Sequence, residues 1–325
     1  MQSVSVIVIN WNGEGFLKKC LSSVLSQSYR DLELLTVDSG STDGSLNLLK
    51  REFPGLQVLA KKENIGFCKA FNEGCRRTKG EYVLALNSDT YLDPHFVEEA
   101  VGSMERDPEI GAISGKVLRF DGETIDSTGQ FLRRDRGVFE RGYNEKDTGR
   151  YEREGQVFSV CGAVAFYRRE MLEDVSVGGE YFDEEYFAFY EDLDIAWRAN
   201  LLGWRCFYNP RAIAYHSRGG TSPSTTKKFL GGYEFVRRPK EVKFHILKNR
   251  YLTMVKNESL ASLLADLPLI LSRELLLWGY VLIFCPALFL RLPAILCSAL
   301  NAFGKRGTLQ RRRRVSPSQI RGWIL

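Results

Sequence analysis

Short apolar runs alternate with amphipathic stretches through the first third of the chain, and a polar cluster follows almost every apolar run. Val4 to Asn10 reads as an apolar strand running into Trp11, Asn12 and Gly13. Phe16, Leu17, Cys20, Leu21, Val24 and Leu25 then recur with the period of a helix that has one apolar face. A second strand, Leu32 to Val37, stops at Asp38 and the turn-forming run Ser39 to Gly44; Leu46, Leu48 and Leu49 mark the next helix. A short strand near Val58 leads to Asn64, Ile65 and Gly66, then to a helix through Phe71 and Cys75. Tyr82 to Leu86 reads as a strand buried on both faces, ending at Asn87, Ser88, Asp89 and Thr90. Four strands separated by helices predict an α/β fold, a mostly parallel, Rossmann-like sheet flanked by helices.

Further on the pattern loosens. Glu109 to Val117 predicts a strand, whereas Leu118 to Glu154 is polar, charged and without clear period, an insertion or long loops over the site. Val157 to Glu170 returns to strand character with Gly162 in mid-run, the mark of a bulge or of a close backbone approach to substrate. Ile195, Ala199 and Leu202 give a helical face that opens at Glu191 and Asp192. Two strands, Arg205 to Tyr208 and Ile213 to Tyr215, then reach His216. After a connecting helix over Arg250 to Leu260, the apolar region Ala261 to Ala302 is broken by Pro268, Pro286 and Pro293. The predicted division is a catalytic domain over 1–240 and a helical, membrane-associating region with a basic tail over 241–325.

Charge changes this picture at the C-terminal end. Glu274 is the last acidic residue, and after it come Arg291, Lys305, Arg306, Arg311 to Arg314 and Arg321. These are eight of the chain's 45 basic residues, so the body before them is mildly acidic against 40 acidic residues. The arginine run lacks interleaved aromatics, which argues against a nucleic-acid surface. Seven scattered cysteines form no C-x-x-C pair and read as reduced thiols, and the opening SVSVIVIN has no signal-peptide order. The chain is expected on the cytoplasmic side.

In an open α/β sheet the polar clusters at the strand carboxyl ends converge on one crevice. Asp89 is a hard oxygen ligand suited to a divalent cation, and a cation there suits a diphosphate. Asp38 could accept the ring N–H of a pyrimidine base, with Asn10, Asn12 and Gly13 beside it. Asn64 and Gly66 stand at a helix start, where backbone N–H groups hold a phosphate or ribose. Each has a plainer reading: Asp38 as turn former, Asn64 and Glu191 as helix-end residues, His216 as a structural histidine.

The pieces VSVIVINWNG, VDSGSTDGS, NIGFCKAFNEG, LNSDTYLDP, CGAVAFYRRE, FYEDLDIAWR and HSRGGT occur in an order that resembles the family 2 glycosyltransferases, inverting enzymes of GT-A fold, and within them the rhamnosyltransferase-like branch. The resemblance implies Asp192 as catalytic base, with Glu191 and Gly162 on the acceptor side. It implies nucleotide contacts from Asn10, Asn12, Gly13, Asp38, Asn64, Gly66, Asn87 and Ser88. Asp89 and His216 would hold Mg²⁺ or Mn²⁺, with Asn87 where the family's D-x-D motif has its first Asp. A nucleotide-sugar donor, dTDP-rhamnose or a UDP-sugar, and a glycan or lipid-linked acceptor in cell-surface polysaccharide assembly follow from it. The Q-x-x-R-W motif of processive synthases is absent, so transfer of one or a few sugars is expected. The alternatives are a sugar nucleotidyltransferase, whose glycine-rich basic loop NWNGEGF does not supply, and a non-catalytic binding scaffold.

The longest uncharged run, Leu275 to Leu290, falls short of the ~20 residues a spanning helix needs. Helices lying in the inner leaflet, with Lys305 to Arg314 against anionic head groups, are therefore expected, a bilayer-spanning hairpin being the other arrangement.

Overall fold

The computed structural model describes residues 2–218 and 238–325. Gly219 to Thr221 of the last motif lie outside the described residues.

The first half alternates strand and helix: β1 (Val4–Asn10), α1 (Glu14–Leu25), β2 (Leu32–Asp38), α2 (Ser45–Glu52), β3 (Gln57–Ala60), α3 (Phe67–Arg77) and β4 (Tyr82–Asn87). These four strands pair in parallel in the order β3, β2, β1, β4, and every residue of β1 is buried. Apolar helical faces cover both sides of the sheet, so its doubly apolar strands have a core on each face. Register sets the site: Asn10 lies beside Asp38 and Ile9 beside Asn87, which brings three strand-end clusters to one edge.

Beyond β4 the sheet becomes mixed. β5 (Thr90–Leu92), α4 (Phe96–Arg106) and β6 (Ile110–Arg119) lead to β7 (Ile125–Ser127), β8 (Gln130–Leu132), β9 (Val138–Glu140), β10 (Gly155–Val157) and β11 (Val164–Arg168). Then come α5 (Arg169–Val175), α6 (Glu191–Leu201) and β12 (Arg205–His216). β11 runs antiparallel between β4 and β6, and β12 is parallel to β6. The expected strand over Val157 to Glu170 is thus two short strands with Gly162 in the turn between them. The two strands expected before His216 are one, irregular between Asn209 and Ile213. The aperiodic stretch Leu118 to Glu154 holds three short strands, β7 to β9, too brief for a period of two to register in sequence.

The C-terminal part is helical: α7 (Lys240–Asn257), α8 (Leu260–Ala265), α9 (Leu267–Phe284), α10 (Leu292–Arg312) and α11 (Pro317–Arg321). It is bolted to the sheet domain by buried charge. Arg136, fully buried, donates to Glu258, to Asp266 at 3.0 Å and to the Ser262 hydroxyl at 2.9 Å. A buried guanidinium is tolerated only with such complete pairing. The basic tail is bound in the same way. Lys305 pairs with Glu180 and Asp183, Arg306 donates to the Val255 carbonyl, and Arg312 and Arg314 pair with Asp174. These four are partnered within the protein, which corrects the expectation that the whole run Lys305 to Arg314 faces lipid head groups. The acidic partners lie in the body of the chain, and their closeness was not visible in the sequence.

Candidate active site

Three groups of side chains line the edge formed by the carboxyl ends of β1, β2 and β4. The first surrounds the β1 and β2 ends. Asp38, fully buried, accepts from Asn10 Nδ2 at 2.7 Å and from the Ser41 backbone at 2.9 Å. Asn12, at φ 52°, accepts from the Thr42 backbone at 2.8 Å, and its own N–H donates to Ser41 at 2.9 Å. Asn10, Gly13 and Ser88 crowd together: a Cβ on Gly13 would lie 2.3 Å from Asn10 Oδ1 and 2.5 Å from the Ser88 hydroxyl. Asn10 Oδ1 is buried with no hydrogen-bond partner, an acceptor that a ligand N–H or O–H would satisfy. Asn64 closes the neighbouring loop by accepting from Ser39 and from the Gly66 N–H. Ile65 N–H donates to Ser39 and Cys68 N–H to Phe187, so three N–H groups at this helix start already serve the protein. Asp38, Asn64 and Gly66 are thus held in place by contacts within the protein.

The second group is built where β12 pairs antiparallel with β5, setting His216 opposite Thr90 and next to Asp89. His216 Nε2 lies 3.4 Å from Asp89 Oδ2, and Nδ1 lies 2.9 Å from Asp126 on β7. Asp126 is fully buried and also binds Arg218; burial raises its pKa, but these cations outweigh that and hold it below the ordinary value. Burial lowers the His216 pKa, and the two carboxylates override it, pushing the imidazole up to about 9. Asp126 fixes the ring so that Nδ1–H donates to it and Nε2 turns to Asp89, the arrangement second carboxylates impose on metal-bound histidines. The pair therefore fits a divalent cation that displaces the Nε2 proton. Among the described residues no group of three or more His, Cys, Asp or Glu could hold a metal ion, so Asp89 and His216 would hold one only as a pair.

The third group centres on Asp192, in the first turn of α6. Its Oδ2 accepts from Gln130 Nε2 at 2.7 Å and from the Gly162 N–H at 3.0 Å, and its Oδ1 from the Leu193 N–H at 2.8 Å. Burial raises its pKa above the usual aspartate value while those donors restrain the rise. The same Gln130 nitrogen donates to Glu140 at 2.9 Å, so one amide bridges two carboxylates. Glu140 also binds Ser127, and burial pushes it to about 7. Burial and the neighbouring Asp192 push Glu191 to about 8; its Oε2 is buried without a partner. Gly162 is close to a carboxylate rather than to open space: a Cβ there would sit 2.9 Å from Asp192 Oδ2.

The turn into α6 is unusual. Phe187, Phe189 and Tyr190 all have positive φ, 65°, 71° and 70°, a conformation that costs a non-glycine residue about 1–3 kcal/mol. Gly66, itself at φ 79°, leaves room for this turn, because a Cβ on it would meet the Phe187 ring at 2.6 Å. The loop at Gly66 and the turn into α6 are thus in contact.

Asp126, Gln130 and Glu140 were missed in the sequence reading. Their signal was present: Asp126, Ser127, Thr128, Gly129 and Gln130 form a polar cluster after an apolar residue, like the cluster after Val37.

A mixed sheet with helices on both faces, a carboxylate beside a histidine at one strand end and a buried carboxylate at a helix start define a protein of GT-A fold. The chain belongs to the glycosyl transferase family 2, whose family model matches residues 5–176, just over half of the sequence. Membership decides against the sugar nucleotidyltransferase alternative. The poly-beta-1,6-N-acetyl-D-glucosamine synthase of Staphylococcus epidermidis is 22% identical over 246 residues, and that of Staphylococcus aureus strain MW2 likewise. Each match covers 73% of this chain and 56% of the relative, so the chain matches about half the length of these curated relatives. Among solved structures, S. aureus TarS 1–349 in complex with UDP superposes with a TM-score of 0.59 at 18% identity, covering 99% of this chain and 83% of that one. The mannosyltransferase PcManGT of Pyrobaculum calidifontis, in complex with GDP-Man and Mn²⁺, gives 0.55 at 18% identity, covering 96% of this chain and 84% of the other. At these identities the likeness is one of fold.

Proposed function

We propose that the protein is an inverting glycosyltransferase that moves a sugar from a nucleotide-sugar donor to a hydroxyl of a glycan or lipid-linked saccharide, in cell-surface polysaccharide assembly. The observation that carries this is Asp192: a carboxylate oriented by three donors, its pKa raised by burial, on the crevice edge that also bears Asp89 and His216. A base with a raised pKa takes a proton more readily. Asp192 accepts the proton of the acceptor hydroxyl, whose oxygen attacks the anomeric carbon from the face opposite the departing nucleoside diphosphate. The configuration inverts in one displacement, without a covalent sugar intermediate. Asp89 and His216 would hold Mg²⁺ or Mn²⁺; when bound, the cation offsets charge on the departing diphosphate. Asn10, Asn12, Gly13, Asn87 and Ser88 would bound the nucleotide pocket.

Of the two donor classes open from sequence, the relatives support the UDP-sugar over dTDP-rhamnose. One is named for an N-acetylglucosamine polymer, and TarS is also solved in complex with UDP-GlcNAc. UDP-GlcNAc is accordingly the first donor to test. The missing Q-x-x-R-W motif supports transfer of one or a few sugars rather than polymer synthesis.

The C-terminal helices supply the membrane contact. The segments Leu267–Phe284 and Pro286–Arg312 are long and apolar enough to cross a bilayer, by length and composition alone. Leu275, Ile283 and Leu290 are 75%, 71% and 84% exposed, a surface that water does not favour and lipid does. Seated in the inner leaflet, this face would hold the crevice near a lipid-linked acceptor on the cytoplasmic side.

The test is a donor screen on purified protein with UDP-, dTDP- and GDP-sugars, with and without Mn²⁺ or Mg²⁺. Cation-dependent binding of one donor, lost in Asp89→Ala, supports the reading. No binding by folded protein in the presence of the cation contradicts it.

A further inference from the structure

The turn from Tyr186 to Tyr190, which leads into the first turn of α6 and Asp192, is held from behind by α7. Asn249, with no exposed surface, directs its amide nitrogen at three carbonyls: Tyr186 at 2.9 Å, Ala188 at 2.8 Å and Phe189 at 2.7 Å. Two amide hydrogens shared among three carbonyls tie together the left-handed residues Phe187, Phe189 and Tyr190. Such a turn, built from bulky side chains, persists only where its surroundings over-determine it. The opposite amide orientation would set Oδ1 against three carbonyl oxygens, so only the nitrogen fits here. Neighbours on α7 reinforce the grip. Lys248 donates to the Glu185 carbonyl, Thr253 and Tyr186 share a hydroxyl hydrogen bond at 2.8 Å, and Asn257 donates to Asp194 at 2.8 Å.

We propose that Asn249 is a positioning residue for the transfer reaction: its amide clamps the left-handed turn and thereby fixes where the Asp192 carboxylate meets the acceptor hydroxyl. It touches neither donor nor acceptor and acts through the backbone of Ala188 and Phe189. Helix α7 then belongs to the catalytic unit, although it lies beyond the residues that match the family and beyond the expected boundary at residue 240. The proposal rests on Asp192 being the base.

The test uses the full chain and the near-isosteric Asn249→Asp, which replaces the donor by an oxygen facing three carbonyls. Amide hydrogen exchange over residues 186–194 is compared with that of the whole chain. UDP-GlcNAc turnover with Mn²⁺ is measured alongside. The expected result is exchange at least ~10-fold faster over 186–194 alone. Turnover falls ~10–100-fold in kcat, with KM for UDP-GlcNAc within about twofold, since misplacing a catalytic group by a fraction of an ångström to an ångström has effects of that order. Folded N249D with unchanged exchange and unchanged kcat overturns the proposal. So does a defect confined to overall thermal stability. Should N249D not fold, N249A, which removes the donor without adding charge, is read by the same two outcomes. If wild-type protein turns over no sugar nucleotide, the transferase reading has failed, and the exchange data still decide whether Asn249 clamps the turn.

Discussion

Replacing Gly162 by Ala adds one methyl group at the most tightly held atom of the proposed base. The new Cβ would lie 2.9 Å from Asp192 Oδ2, 3.1 Å from its Cβ and 3.2 Å from its Cγ. Ordinary carbon–oxygen contact needs roughly half an ångström more, and dispersion turns to repulsion inside it. Asp192 cannot yield freely, because Gln130, Leu193 and Gly162 itself hold its carboxylate. Gly162 has no positive φ, so the substitution acts by contact rather than by backbone strain. Moving the carboxylate by about half an ångström should lower kcat roughly 10-fold, given that a full ångström costs about 100-fold. Overpacking adds about 1–3 kcal/mol of destabilisation. The assay is UDP release from UDP-GlcNAc with Mn²⁺, alongside UDP affinity by calorimetry and thermal unfolding. Turnover and Tm should fall while UDP affinity is unchanged. A G162A protein with full turnover and unaltered Tm would refute the reasoning.

Three further outcomes are expected. Glu140 is raised in the folded protein to about 7, so its contribution to stability is full below the unfolded value and is lost as pH rises through 7; Glu140→Gln should therefore raise Tm at pH 8, by up to about 3 kcal/mol in stability, and change it little at pH 5, as read by calorimetry. Asp126→Asn should weaken Mn²⁺ binding about 10–100-fold by releasing the His216 ring, and leave metal-free UDP affinity unchanged in a titration. Leu275→Asp with Ile283→Asp should abolish flotation with anionic liposomes while leaving turnover of soluble donor intact, because both side chains are exposed on α9, outside the elements that carry the candidate site.

Much of the fold was legible because β1, β2 and β4 carry apolar runs that end abruptly in polar clusters, a pattern that a parallel sheet covered on both faces produces and an amphipathic helix does not. Asp89 and His216 were joined in the sequence only by ligand chemistry and the family resemblance, since 127 positions separate them and the β5–β12 pairing that joins them leaves no periodic trace. Glu140 was hidden in a strand of three residues. The basic tail misled because charge composition shows sign and not partner: Asp174, Glu180 and Asp183, which meet it, lie more than a hundred positions earlier in the chain. Glu191 was read as an ordinary helix-end carboxylate or an acceptor-side group, and only the packing shows how deeply it is buried.

The central claim is that Asp192 is the base of an inverting transfer, and Asp192→Asn tests it most directly. The variant keeps the shape of the side chain and removes its proton affinity. Measured with UDP-GlcNAc, Mn²⁺ and a glycan acceptor that the wild-type protein glycosylates, D192N should bind UDP as wild type does and lose turnover by at least about 100-fold, within the range general-base catalysis supplies. The wild-type product should carry the anomeric configuration opposite to the donor's. Wild-type turnover in D192N, or a product of retained configuration, would contradict the account.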